Sequence, residues 1–160
     1  MKCDTALNIL GVLLILMTFI GAFNSIVRYI GRAFNQSLTT NALLEIQWYL
    51  FSVVFLLGIV VAYRQGRHIR VDVFYNRFSF RTNRRLNILF TVLLLLPFAA
   101  FLMYFTGRYA LRSIEILEQS SNPDGLARYP LKVFMPVSFG LLLVTGLYSL
   151  YEYITKRKYD

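Results

Sequence analysis

Four long apolar runs alternate with polar segments along this chain. They cover about residues 7–30, 42–63, 86–106 and 131–154. A hydrocarbon core about 30 Å deep needs about 20 helical residues to cross it, and each run supplies them. The second run opens on a polar patch, Glu45-Ile46-Gln47-Trp48, so its purely apolar part is shorter. Pro97 and Pro136 fall inside the third and fourth runs, where membrane helices tolerate proline and bend at it. The pattern predicts an all-α integral membrane protein with four transmembrane helices, forming one domain over residues 1–160.

The polar connections differ. Residues 31–41 read as a short polar loop, and 64–85 as an arginine-rich one. In the third, apolar residues recur at helical spacing from Tyr109 to Glu118, and Arg112 stands three positions before Glu115. The third helix is therefore expected to run beyond the bilayer by about two or three turns. Ser120-Ser121-Asn122-Pro123-Asp124-Gly125 then breaks it. The first apolar stretch exceeds the roughly 7–15 residues of a signal-peptide core, and Gly21–Ser25 is a poor cleavage site, so an uncleaved first span is expected.

Composition agrees with a lipid-facing exterior. Of 160 residues, 57% are hydrophobic, more than a soluble domain of this size needs. The net charge of +9 does not point to nucleic acid, because the basic residues cluster at the ends of apolar runs instead of forming a stripe on a polar domain. Cys3 is the single cysteine, so no internal disulfide forms.

Charge also orients the chain. With four spans, both termini share a side with residues 64–85, which hold seven arginines and one acid. Lys2, those arginines, Lys156, Arg157 and Lys158 make eleven positive charges on that side. Arg28, Arg32, Arg108, Arg112, Arg128 and Lys132 make six on the other. Both termini are therefore expected in the cytoplasm, with the third helix extending on the periplasmic side. Arg28, Arg108 and Lys132 read as helix-end residues that snorkel, whereas Arg32, Arg112 and Arg128 lie farther from the apolar runs and are candidates for docking a periplasmic partner.

Small residues recur on the helices: Gly11, Thr18, Ala22 and Ser25 in the first, Gly58 and Ala62 in the second, Ser138, Thr145 and Ser149 in the fourth. Such stripes let helix backbones approach, within one chain or against another subunit.

Little in the chain suggests catalysis. The only histidine, His68, falls in the charged loop, whereas a haem-binding anchor needs two within helices. No metal-ligand cluster and no catalytic triad is legible, and no cofactor is expected. Glu115 and Glu118 read as a solvated helix face. Glu45 is the one acid near hydrocarbon. At mid-bilayer a carboxylate marks an ion or proton path. Its place at the end of a span, beside Gln47 and the interface-seeking Trp48, favours a polar anchor instead. The loop sequence His68-Ile69-Arg70-Val71-Asp72 is more patterned than a topology signal requires, and Asp72 has arginines on either side to pair with.

These residues carry a resemblance. Glu45 opening the second helix, followed by Gly58-Ile-Val-Val-Ala62-Tyr-Arg64-Gln-Gly66-Arg-His68-Ile-Arg70-Val-Asp72-Val, resembles the small membrane subunit of tripartite ATP-independent periplasmic (TRAP) transporters. Pro130-Leu-Lys132-Val-Phe-Met-Pro136-Val-Ser-Phe139 resembles the same family more weakly. The resemblance implies a scaffold subunit in a bacterial inner membrane. Its partners would be a large membrane subunit that moves a small organic acid, usually with sodium, and a soluble periplasmic substrate-binding protein. The substrate and sodium sites would belong to the large subunit. That subunit is expected as a separate polypeptide, since this chain ends at Asp160 after a basic tail. Glu45, Trp48, Arg64, His68, Arg70 and Asp72 are the candidates for structural or subunit contacts. The alternative is a self-contained small proton-coupled transporter that uses Glu45.

Overall fold

The chain is described by a computed structural model covering residues 3–34, 41–65 and 80–155. Every regular element among the described residues is helical. Helix α1 spans Cys3–Ala33 and α2 spans Asn41–Arg64. A continuous rod follows: α3 from Phe80–Phe90, a π-helical turn over Thr91–Leu95, and α4 from Leu96–Glu115. Helix α5 spans Tyr129–Thr155. Four stretches are long and apolar enough to cross a membrane: Thr5–Ala33, Asn41–Arg64, Thr82–Glu115 and Tyr129–Thr155.

The π turn has a local cause. Pro97 lacks an N–H and its ring crowds the carbonyl four residues back, which disfavours a plain α-helix there. Here the backbone widens just before the proline, and the Leu96 N–H reaches back five residues to the Thr91 carbonyl. The helix continues through one turn of different pitch, a common way to absorb an extra residue in a helix.

Helix α1 packs on α2, α2 packs on α5, and α5 packs along the rod, with its most extensive contact to α4. The α4–α5 seam is made of small residues. Ala99, Ala110 and Ser113 on α4 and Ser138 on α5 are buried. A methyl group at Gly146 would come 2.5 Å from Leu95 Cδ2, so the leucine seats against bare backbone there. With little hydrophobic drive between helices in lipid, close approach of this kind is what holds them together. The large apolar side chains point outward instead: Phe19, Phe23, Phe51, Phe55, Phe98, Phe101 and Phe105 are all exposed. Among the described residues the glycines of the α1 and α2 stripes meet no neighbour. Nothing lies within 4 Å of a methyl group placed at Gly11 or at Gly58.

One end of the bundle is tied by backbone capping. The Arg84 guanidinium donates to the Tyr153 carbonyl at 2.6 Å and to the Ile154 carbonyl at 3.1 Å, closing the C-terminus of α5. Nearby, Tyr63 on α2 and Thr91 in the π turn share a 3.3 Å hydroxyl contact.

Candidate functional site

At the other end, α2 begins, α4 ends and α5 begins, and the 116–128 connection lies across them. Helix α4 stops at Glu115 in a Schellman arrangement. The Leu117 N–H bonds to the Ile114 carbonyl at 3.0 Å, and the Glu118 N–H to the Ser113 carbonyl at 3.0 Å. Leu117 takes the left-handed conformation, φ 45°, that this ending requires. The helix therefore ends earlier than the apolar spacing predicts, and Glu118 lies beyond it. Arg112 and Glu115 form no ion pair. Glu118 instead accepts from Ser113 Oγ at 2.8 Å and is paired with Lys132 on α5. The Lys132 hydrogen bond, and then the Ser113 one, holds the Glu118 carboxyl below the usual carboxylate range. Lys132 also sits 4.0 Å above the Tyr109 ring. It is a fixed bridge between α4, the connection and α5, and does not snorkel as the sequence suggests.

Past Glu118 the chain turns back to α2. The Gly125 N–H bonds to the Asn122 carbonyl at 3.1 Å. Pro123 holds the second position of this turn and Asp124, φ 55°, the third, as in a type II turn. The turn brings three donors onto one carboxylate. Glu45 Oε1 accepts from Ser120 Oγ and from Asn122 Nδ2 at 3.0 Å, and Oε2 accepts from the Leu126 N–H at 2.6 Å. The Glu45 side chain is thereby shut in, with the residue 2% exposed. Gly125 is a spatial requirement: a methyl group there would stand 2.4 Å from Ser120 Cβ and 2.9 Å from Glu45 Oε2. Two further bonds flank the clamp. Asn41 Nδ2 donates to the Pro123 carbonyl at 2.9 Å, and the Tyr49 hydroxyl donates to the Ala127 carbonyl.

The structure brings together Glu45 and the segment that the sequence shows only as a helix breaker. Ser120, Asn122, Gly125, Tyr49 and Asn41 were not candidates on sequence grounds. Trp48, by contrast, is 56% exposed and takes no part in the clamp's hydrogen bonds. Arg64 ends α2 with its guanidinium 5.3 Å from the Tyr148 ring, a cation–π contact to α5. His68, Arg70 and Asp72 lie outside the described residues. Arg32, in the last turn of α1, and Arg112, in the last turn of α4, are exposed, and Arg128 is half-buried just before α5. All three are at the clamp end. Among the described residues no three His, Cys, Asp or Glu side chains are grouped to hold a metal.

Four apolar helices whose bulky residues face outward, held together by small-residue seams and polar ties at the helix ends, make a multi-pass membrane protein. A family model for the DctQ component of tripartite ATP-independent periplasmic transporters matches residues 14–156. The chain belongs to that family and is a transporter component. A comparison with curated proteins returned no match.

Proposed function

We propose that the chain is the scaffold subunit of a TRAP-type secondary transporter in a bacterial inner membrane. It supports a separate large membrane subunit that imports a small organic acid with sodium. A periplasmic binding protein delivers the acid. Both termini and residues 64–85 lie in the cytoplasm by the excess of positive charge, and the clamp end faces the periplasm.

The observation that carries the scaffold role is the saturation of Glu45. A coupling carboxylate exchanges its proton or ion with a water path, so at least one oxygen has to be reachable. Both oxygens of Glu45 are occupied by fixed donors from the 120–126 segment, and the residue is closed off from its surroundings. That arrangement supports a structural anchor over the self-contained proton-coupled transporter.

The two readings separate in Glu45→Gln. All three groups on Glu45 donate, and a glutamine offers one oxygen and an NH2 that must face one of them. In a scaffold the variant lowers the amount of assembled transporter, and uptake per assembled complex stays at the wild-type value. In a proton-coupled transporter it abolishes uptake at undiminished assembly. Quantifying the complex in membranes alongside substrate uptake decides between them.

A further inference from the structure

Proline brings no N–H, so a membrane helix that contains one has a carbonyl whose donor must come from elsewhere. Here the Val92 carbonyl is left in that position. In an α-helix the Leu96 N–H would bond to it, but in the π turn that N–H goes to the Thr91 carbonyl. In the π register the donor would be residue 97, which is proline. Both helical donors are therefore lost to Val92. The side chains that follow, Leu93-Leu94-Leu95-Leu96-Pro97-Phe98, carry no donor. Thr91, the one hydroxyl in the turn, is engaged with the Tyr63 hydroxyl at 3.3 Å.

The vacancy opens outward. A helical carbonyl points along the axis toward the residues four and five ahead, so this one ends beside Pro97. Thr91 and Ala99 are buried and mark the side turned to α5. Val92 and Leu93 are 47% and 65% exposed, and Pro97 is exposed with them. The vacancy is also deep. No charged residue falls between Arg85 and Arg108. Val92 stands seven positions past Arg85, about 10 Å along the helix. Hydrocarbon at that depth offers neither a donor nor water, and a backbone carbonyl there requires a partner.

We propose that a membrane helix of the large subunit covers Val92, Leu93 and Pro97 and donates a side-chain hydrogen bond, from serine, threonine, asparagine or glutamine, to the Val92 carbonyl. This rests on the scaffold reading above. Depth decides between the partners, because a soluble binding protein does not reach a group inside the hydrocarbon. A second copy of the chain does not serve either. About a two-fold axis it would bring the same patch to face itself, and that patch holds no donor. Polar side chains that bond across membrane helices are a recognised means of joining them.

The test reads the carbonyl itself. Val12-Leu13 and Val92-Leu93 are the two Val-Leu pairs, so in Val12→Ile the second stands alone. Valine labelled at its carbonyl carbon and leucine labelled at its nitrogen then isolate one resonance in solid-state NMR. In bilayers holding the chain alone, the Val92 carbonyl should resonate where unbonded carbonyls do. In bilayers holding the chain with the large subunit, it should move downfield to the position of bonded helical carbonyls. A bonded position in the chain alone overturns the proposal, since water, a second copy or the helix itself would then fill the vacancy. An unbonded position in both preparations overturns it too. Pro97→Ala adds a second readout by supplying the missing N–H. The carbonyl should then be bonded in the chain alone, the thermal midpoint should hold or rise, and the large subunit retained in mild detergent should fall several-fold. Undiminished retention with a bonded carbonyl refutes the contact. If Pro97→Ala does not fold, the resonance of the chain that keeps Pro97 still decides. If that chain retains no large subunit, the scaffold reading fails and the proposal falls with it, whereas retention with an unmoved resonance defeats the proposal alone.

Discussion

Glu45 and Ser120 stand 75 positions apart and share a hydrogen bond that joins the start of α2 to the α4–α5 connection. The contact spans most of the fold, since α2 and α4 are both held against α5. Loosening it weakens the hold of α2 on the 120–126 turn.

Gly125→Ala is therefore expected to act through Glu45. The new methyl would collide with Ser120 Cβ and press on Glu45 Oε2. Overpacking of this kind costs about 1–3 kcal/mol. The thermal midpoint of the purified chain should fall, and protease sites in 118–128 should open. Gly11→Ala, where the added group meets open space inside a helix, is the matched control: its midpoint should hold or rise and the protease sites should stay closed.

Acid should release the other tie in a defined window. Glu118 has its carboxyl held below the usual range by Lys132 and Ser113. Its contribution is complete above the unfolded carboxylate value, about pH 4.3, and disappears as pH falls through the lower folded value. Hydrogen exchange at the backbone of residues 116–128 should be flat from neutral pH to about pH 5, after correction for intrinsic rates, and quicken only below about pH 4. In Glu118→Gln the acid step should shrink at residues 116–119, which Glu118 holds and Glu45 does not.

The α4–α5 seam predicts a rescue. Gly146→Ala forces a methyl toward Leu95 Cδ2, 2.5 Å away, and should cost about 1–3 kcal/mol. Leu95→Ala alone leaves a gap. Together the two changes should cost less than the sum of the singles, by at least about 0.5 kcal/mol in unfolding measurements.

Docking of a binding protein should be sensitive to charge at the clamp end. Arg32→Glu and Arg112→Glu are expected to slow uptake on the order of tenfold at limiting binding protein and low salt, with partial recovery at excess. Arg128 needs the milder Arg128→Gln, because its guanidinium also favours the charged form of Glu118. The membrane complex should stay intact in all three. Unchanged uptake would leave docking to the large subunit.

The helices were legible because lipid imposes a simple demand: long apolar runs, interrupted by charge. The need of Glu45 for polar partners was legible for a related reason, since an acid at the end of an apolar run requires them. Its partners were not, because Ser120, Asn122 and the Leu126 N–H meet it only through long-range folding. The segment 120–125 carries turn chemistry, and turn chemistry does not say what the turn holds. The end of α4 was misplaced for a local reason. The stop signal in sequence is glycine, and here a leucine takes the glycine conformation. Lys132 has the same address as a snorkelling residue, and only the return of Glu118 past the helix end gives it a partner.

The π turn before Pro97 sets the phase of everything beyond it. Thr91 and Ala99 are both buried although eight positions separate them, a spacing that would set them about 80° apart on a regular α-helix. The extra residue in the turn returns them to one line, which Ala110 and Ser113 continue. Deleting a single residue from 91–95 would keep this line in a more regular helix, whereas winding all five residues as plain α-helix would rotate the outer half by about 100°. Ser113 would swing off α5 and take Glu118 away from Lys132. The irregular turn thus works as a rotational offset between the two halves of the helix, and where the far end of α4 meets α5 is decided about twenty residues before it.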